Sequence, residues 1–255
     1  MAGDAIKKIT LYQGKIGGGV PHDDLREIQD FEPDFTLLPE YFWVKNGIPD
    51  HQSAAGEFGS IIEYISELSG HIPGYLVAGT VVEPDNGTLY NTCFIYKNGD
   101  YKAKHRKVHL YGRERDILTP GDGFSIFNLD GTDCSVIICA DALNPSTFSD
   151  IRKLNARIIF APTYSIVKEA DKPGDKLTRD KEIFLRGAEL SGAVLCKCCS
   201  VGTLFGHPAN GRSIICSPGG FIYRGDEEDE QNVKIIKVEI DLKRKKGWME
   251  NITTR

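Results

Sequence analysis

Three short apolar runs, each carrying or leading to a different reactive side chain, constrain this chain more than any other feature. Asp34-Phe35-Thr36-Leu37-Leu38-Pro39 leads to Glu40, residues 101–110 carry Lys107, and Cys134-Ser135-Val136-Ile137-Ile138 leads to Cys139. Short runs rich in branched residues and bounded by turn residues are the pattern of buried strands. If the three strands share a sheet, their ends bring a carboxylate, an ammonium and a thiol to one edge. That set is a base, an oxyanion stabiliser and a nucleophile, which points to acyl transfer through a thioester.

The rest of the chain is compatible with such a scaffold. Its 255 residues suffice for one large domain with a substantial core, or at most two smaller ones. With 40% apolar and 26% charged residues, neither disorder nor a fibre is indicated. A net charge of −5 gives no basic footprint, so nucleic acid is not expected as a partner. No stretch reaches the roughly 18 uninterrupted apolar residues of a membrane span. Residues 1–10 read as a first strand rather than a signal peptide. Seven cysteines are an odd count in a chain too long to need staples, and several sit in apolar runs as small hydrophobes. A reducing, cytoplasmic setting is expected.

Strand-like and helix-like stretches alternate along the sequence. Strands are expected at residues 5–13, 34–39, 74–83, 90–97, 101–106, 124–129, 134–139, 156–162, 193–199, 211–216, 220–223 and 233–240. Helices are expected at 22–30, capped by His22 or Asp23, and at 54–69, 145–154 and 176–191. Pro84-Asp85-Asn86-Gly87 and Lys97-Asn98-Gly99-Asp100 are hairpin turns by composition. Hairpins mixed with helical crossovers fit neither a pure parallel sheet nor an all-β sandwich. Two sheets, each covered outside by helices, bury such apolar strands on both faces. No internal repeat or linker divides the chain, and the acidic residues 226–230 read as a solvated loop.

Each reactive residue also has a plainer reading. Cys139 could be a buried strand cysteine, but the polar turn with Asp141, Asn144 and Pro145 puts its thiol at a sheet rim beside the amides of a helix start. Such amides lower a thiol pKa and bind an oxyanion. Glu40 could be a surface glutamate. Between Pro39 and Tyr41-Phe42-Trp43, however, its carboxyl loses hydration and its pKa rises, which suits a proton shuttle. Lys107 lies in a basic run that could be a solvated face; next to a thiol and a carboxylate it would stabilise a thiolate and an oxyanion.

In order and spacing these pieces match a known pattern. With Leu38-Pro39-Glu40, His105-Arg106-Lys107-Val108-His109-Leu110 and Ile137-Ile138-Cys139-Ala140-Asp141, the chain resembles the carbon–nitrogen hydrolase family, or nitrilase superfamily, over nearly its whole length. Tyr90-Asn91-Thr92, Glu114 through Asp122, and Arg186-Gly187-Ala188-Glu189 support the match. The resemblance implies an α/β fold: a four-layer α-β-β-α sandwich, with residues 1–255 as a single domain that forms a homodimer or higher homo-oligomer. It implies Glu40 as general base, Lys107 as stabiliser of the tetrahedral intermediate, Cys139 as nucleophile and Glu114 as the residue orienting the lysine. The Ala140 N–H would share the oxyanion. No metal or organic cofactor is implied.

Asp141, Asn144 and Tyr164 complete the set of expected substrate contacts. Ala140-Asp141 stands where nitrile-cleaving members carry Trp-Glu, which favours a small linear amide or N-carbamoyl compound over a nitrile as substrate. A nitrilase and a binding protein without catalysis are the alternatives. Cys196-Lys197-Cys198-Cys199 is assigned to packing, because strand alternation puts Cys199 on the face opposite Cys196 and Cys198.

Overall fold

A computed structural model describes residues 6–166, 172–243 and 252–254. Strand β1 (Ile6–Gln13) pairs in parallel with β2 (Phe35–Leu37) across helix α1 (His22–Phe31). Helices α2 (His51–Ala55) and α3 (Phe58–His71) lead to β3 (Tyr75–Asp85), parallel to β2, and two hairpins add β4 (Thr88–Lys97) and β5 (Asp100–Arg106). After the short helix α4 (Glu114–Ile117), β6 (Phe127–Leu129) and β7 (Thr132–Val136) open a second sheet. Helix α5 (Pro145–Leu154) crosses from β7 to the parallel β8 (Ile158–Thr163).

A longer crossover joins β8 to the parallel β9 (Val194–Cys199). It consists of α6 (Pro173–Asp180), a π-turn at Lys181–Leu185 and α7 (Arg186–Ser191). The hairpin β10 (Gly202–Leu204) and β11 (His207–Ala209) precedes β12 (Ile214–Ser217) and β13 (Gly220–Arg224). Finally β14 (Lys234–Asp241) returns antiparallel to β1, with β15 (Ile252–Thr254) at its edge. The sheets run β15-β14-β1-β2-β3-β4-β5 and β13-β12-β9-β8-β7-β6.

Three apolar clusters define the layers. Ile9, Leu11, Phe35 and Val77 of the first sheet meet Val136, Phe160, Val194 and Cys196 of the second between the sheets. Ile28 of α1 and Ile65 and Leu68 of α3 cover the outer face of the first sheet. Phe148 and Ile151 of α5, with Ala188 of α7, cover the second. The molecule is a four-layer α-β-β-α sandwich, as expected. A parallel bridge between Lys15 and Val201 sets the outgoing ends of β1 and β9 at one rim.

Local departures have physical causes. The stretch 54–69 is not one helix: it breaks at Gly56-Glu57 into α2, capped by Asp50 accepting from the Ser53 N–H, and α3. Neither His22 nor Asp23 caps α1, whose N-cap is Pro21 without a side-chain bond. Hairpin β10–β11 was not expected; its turn puts both Phe205 and Gly206 at positive φ, and phenylalanine is an uncommon residue there. The acidic segment is only partly solvated. Glu230 is buried against Lys176 at 2.6 Å, and Asp229 accepts from the Tyr223 hydroxyl at 2.8 Å. The 1–5 portion of the expected first strand lies outside the described residues. No helix among the described residues is long and apolar enough to cross a membrane.

One glycine shapes the future site directly. At Gly79, φ +65°, β3 bulges and lets the Leu38-Pro39 segment pass close over it. A Cβ there would lie 2.1 Å from the Pro39 carbonyl oxygen. Gly79→Ala is therefore expected to lose more than about 2 kcal/mol in urea unfolding, from left-handed strain plus the clash. A midpoint equal to that of the parent would show that the Pro39 segment is free to yield.

Candidate active site

The reactive residues sit just past the outgoing ends of strands. Glu40 lies three residues beyond β2, Lys107 one beyond β5, Cys139 three beyond β7 and Tyr164 one beyond β8. These strands run outward to the same rim, so ordinary sheet topology brings side chains from distant sequence positions together. Alternation explains how a basic run delivers one lysine inward. Lys104 and Arg106 pair with Glu83 on the outer side of β5, whereas His105 and Lys107 turn in. Burial pushes the His105 imidazole down to about 4, so it is neutral there.

Lys107 is the hub. Its ammonium donates to Glu40 at 2.8 Å and reaches both Glu114 oxygens, at 2.9 and 2.7 Å. Asn91 Nδ2 donates to Glu40 at 2.8 Å and to Glu114 at 3.0 Å. The Tyr41 hydroxyl donates to Glu114 at 2.6 Å, and the Tyr111 N–H adds a bond at 2.9 Å. All three charged groups are buried, Glu40 at 1%, Lys107 at 2% and Glu114 at 5% exposure.

The titrations follow from this packing. Burial raises the Glu40 carboxyl above the ordinary range, and Lys107 only partly offsets it. Burial also disfavours charge on Lys107, but Glu40, Cys139 and Glu114 outweigh it and hold the ammonium protonated. On Glu114 desolvation is overcome by Lys107, so its carboxyl stays low.

Cys139 opens a 3₁₀ turn, Cys139–Leu143, with φ +45°, a left-handed conformation that costs a non-glycine residue about 1–3 kcal/mol. Tyr41, directly after Glu40, is left-handed too at φ +54° and is held by its N–H on Thr80 Oγ1 at 3.0 Å. The thiol donates to the Tyr164 carbonyl oxygen at 3.4 Å and lies in the field of the Glu40 carboxylate. Although the residue is half-buried, the surroundings of its sulfur dominate. Burial first, then the Glu40 charge, raise the thiol well above its ordinary value. The expectation of a depressed thiol is thus overturned, because a desolvated sulfur beside a carboxylate outweighs nearby amides. At neutral pH the thiol is protonated.

The expected substrate contacts divide. The Tyr164 N–H donates to the second Glu40 oxygen at 2.8 Å, and its hydroxyl donates to the His207 carbonyl at 2.9 Å. Asp141 is fully buried, with one oxygen on the Ile138 N–H and the other on the Val108 and His109 N–H groups. Asn144 caps α5 and meets His109. Asp141 and Asn144 thus serve as internal ties, since the protein itself takes up polar atoms of both side chains. Ala140 is buried in the turn, where the first N–H groups of a helical turn have no intrahelical acceptor.

Sequence reasoning missed Asn91 and Tyr41 as members of the carboxylate cluster. An asparagine within the apolar strand β4 was an available signal, because a buried amide needs partners. His51 and Phe205, packed on Tyr41 and on each other, gave no comparable signal. Cys196 and Cys198 face the inter-sheet core as expected.

The carbon–nitrogen hydrolase family model matches residues 25–249. The chain belongs to the carbon–nitrogen hydrolase family. It is 26% identical to a nitrilase of Pyrococcus abyssi, over 87% of this chain and 78% of that protein. It is 25% identical to a 2-oxoglutaramate amidase of Bacillus subtilis, over 96% and 94%. An omega-amidase of Xenopus tropicalis is 36% identical, but the match spans only 42% of each chain. In structure, a carbon–nitrogen hydrolase from Helicobacter pylori superimposes with a TM-score of 0.78 at 18% identity, covering 94% of this chain and 91% of that one. A mutant amidase from Nesterenkonia sp. AN1 in complex with butyramide gives 0.77 at 18% identity, covering 92% and 91%. The protein is an enzyme of this carbon–nitrogen hydrolase class.

For this carbon–nitrogen hydrolase the shared ammonium has a stability consequence. Lys107→Ala leaves two buried carboxylates facing each other, and a loss of about 4 kcal/mol in denaturant unfolding at neutral pH is expected. The deficit should narrow as the pH falls, because protonating Glu40 or Glu114 removes the uncompensated charge. A pH-independent deficit would contradict the buried ion cluster as its source.

Proposed function

We propose that the enzyme hydrolyses a small linear amide or N-carbamoyl compound through a thioester on Cys139. The observation that carries this reading is the gathering of thiol, carboxylate and ammonium at one rim. Lys107 donates to Glu40 at 2.8 Å, and the Tyr164 main chain binds both carboxylate and thiol, its N–H donating to Glu40 at 2.8 Å and its carbonyl accepting from the Cys139 thiol at 3.4 Å. Glu40 takes the thiol proton as sulfur attacks the carbonyl carbon, so no free thiolate need accumulate. The carbonyl oxygen becomes an oxyanion held by the Lys107 ammonium and the Ala140 N–H. Glu40 returns the proton to the amine, the C–N bond breaks and ammonia or amine leaves. A water molecule, deprotonated by Glu40, then attacks the thioester and restores the thiol. Glu114, Asn91 and Tyr41 keep Lys107 and Glu40 in place throughout.

The 2-oxoglutaramate amidase relative, matched over nearly its full length, supports amide chemistry, while the nitrilase relative keeps nitriles as a second reading. Ala140-Asp141 after the nucleophile favours the amide. We place the enzyme in a reducing, cytoplasmic setting, where seven free thiols persist, and as a homo-oligomer.

Ammonia release from paired amides, carbamoyl amines and nitriles tests the reading. Cys139→Ala should abolish turnover while the thermal midpoint moves by only a few degrees. Retained activity on a genuine substrate would refute the thioester. The acid limb of kcat/KM provides a separate check. Activity needs ionised Glu40 and is lost as the pH falls through its raised pKa, so the limb should lie above the ordinary glutamate value of about 4.3. A limb at or below that value would remove Glu40 as the base.

A further inference from the structure

The buried Asp141 carboxylate links two separate stretches of chain. Its Oδ2 accepts from the Ile138 N–H at 2.7 Å, and its Oδ1 from the Val108 and His109 N–H groups at 3.2 and 2.6 Å. Ile138 immediately precedes the nucleophile, and Val108 immediately follows Lys107. The His109 ring extends the link. Asn144 Oδ1 accepts from the Ser146 N–H at 3.1 Å, which turns its Nδ2 donor toward His109 Nε2 at 2.9 Å. That leaves Nδ1 of the ring carrying the proton and donating to Asp141 at 3.2 Å. The Thr147 hydroxyl binds the Asp141 carbonyl at 2.8 Å and ties the far side of the turn to α5.

We infer that Asp141 is a positioning residue that holds the Lys107 ammonium in register with the Cys139 sulfur and the Ala140 N–H. The inference rests on the amide-hydrolase reading above. Lys107 and the Ala140 N–H reach the oxyanion from different sheets, and the carboxylate of Asp141 joins their backbones within one residue of each catalytic position. The bond to the Ile138 N–H also closes the turn around Cys139, whose φ of +45° needs such a constraint. A misplacement of about 1 Å between reacting groups costs on the order of 100-fold in rate.

Asp141→Asn tests this, because an amide keeps the size of the group but turns an N–H donor toward main-chain N–H groups. On an amide that the parent enzyme turns over, kcat should fall about 100-fold while KM stays within about threefold. Circular dichroism and the thermal midpoint establish that the variant is folded. If it is not, His109→Ala reads the clamp from the lysine side, with an expected kcat loss of about tenfold and KM again within about threefold. A kcat within about threefold of the parent in a folded variant would overturn the inference, as would a loss carried by KM alone, which marks a substrate contact. Hydrogen exchange at the Val108, His109 and Ile138 amides reads the clamp without turnover. Faster exchange in both segments supports it, and faster exchange in one or neither overturns it. A parent enzyme silent on every amide would refute the proposed function, whereas an active parent with an indifferent Asp141→Asn would refute only the clamp.

Discussion

One ammonium shared by two buried carboxylates holds together the rim at which the strand ends converge. Lys107 can stay charged out of water only because Glu40 and Glu114 surround it, and the two glutamates can sit side by side only because it lies between them. Neither glutamate is interchangeable with the other. Glu114 takes the Tyr41 hydroxyl and the Tyr111 N–H and stays low, while Glu40 takes only the Tyr164 N–H besides the shared Asn91 amide and keeps a raised pKa. Two carboxylates sharing one cation are thus driven apart by their remaining partners, which separates a fixed charge from a proton acceptor.

That separation determines which kind of thiol chemistry the site can perform. A thiolate preformed beside a cation would require the sulfur to be solvated or paired with a free positive charge. Here the cation is already committed to carboxylates, and the charge that acts most strongly on the sulfur is the negative Glu40. The resting thiol is neutral, and in the proposed mechanism proton transfer accompanies attack. A neutral sulfur beside a base is less exposed to adventitious alkylation and oxidation than a standing thiolate.

Much of this was legible in the residues. Apolar runs ending in Glu40 and Cys139, and the alternation that turns Lys107 inward within a basic run, are local signals, and their convergence needs only the parallel direction of β2, β5, β7 and β8. The raised Glu40 carboxyl was expected from an aromatic pocket of Tyr41-Phe42-Trp43; its cause is burial, while Phe42 and Trp43 pack in the cluster under α1 and α3. What failed were judgements that depend on partners distant in sequence. Asp141 looks like a pocket residue in a polar turn, and only the arrival of the 108–109 backbone makes it an internal tie. The thiol pKa was misjudged because helix-start amides are visible in sequence, whereas the proximity of a carboxylate from another sheet is not. Glu230 looked solvated for the same reason: its partners Lys176 and Arg212 lie 54 and 18 positions away.

The strained positions have a common logic. Left-handed backbone at Tyr41 and Cys139 occurs where a chain must leave its strand and double back so that a functional group, Glu40 in one case and the sulfur in the other, faces the neighbouring sheet. A residue in an ordinary extended conformation at the end of β2 or β7 would continue outward and carry its side chain into solvent or into the covering helices. The sandwich supplies the restraint at each point: Thr80 on the bulged β3 fixes the Tyr41 N–H, and Asp141 fixes the Ile138 N–H before the sulfur. Both restraints are short polar side chains on buried backbone, stronger in a low-dielectric interior than at a surface. At both positions the strained backbone is tied by a hydrogen bond buried away from water.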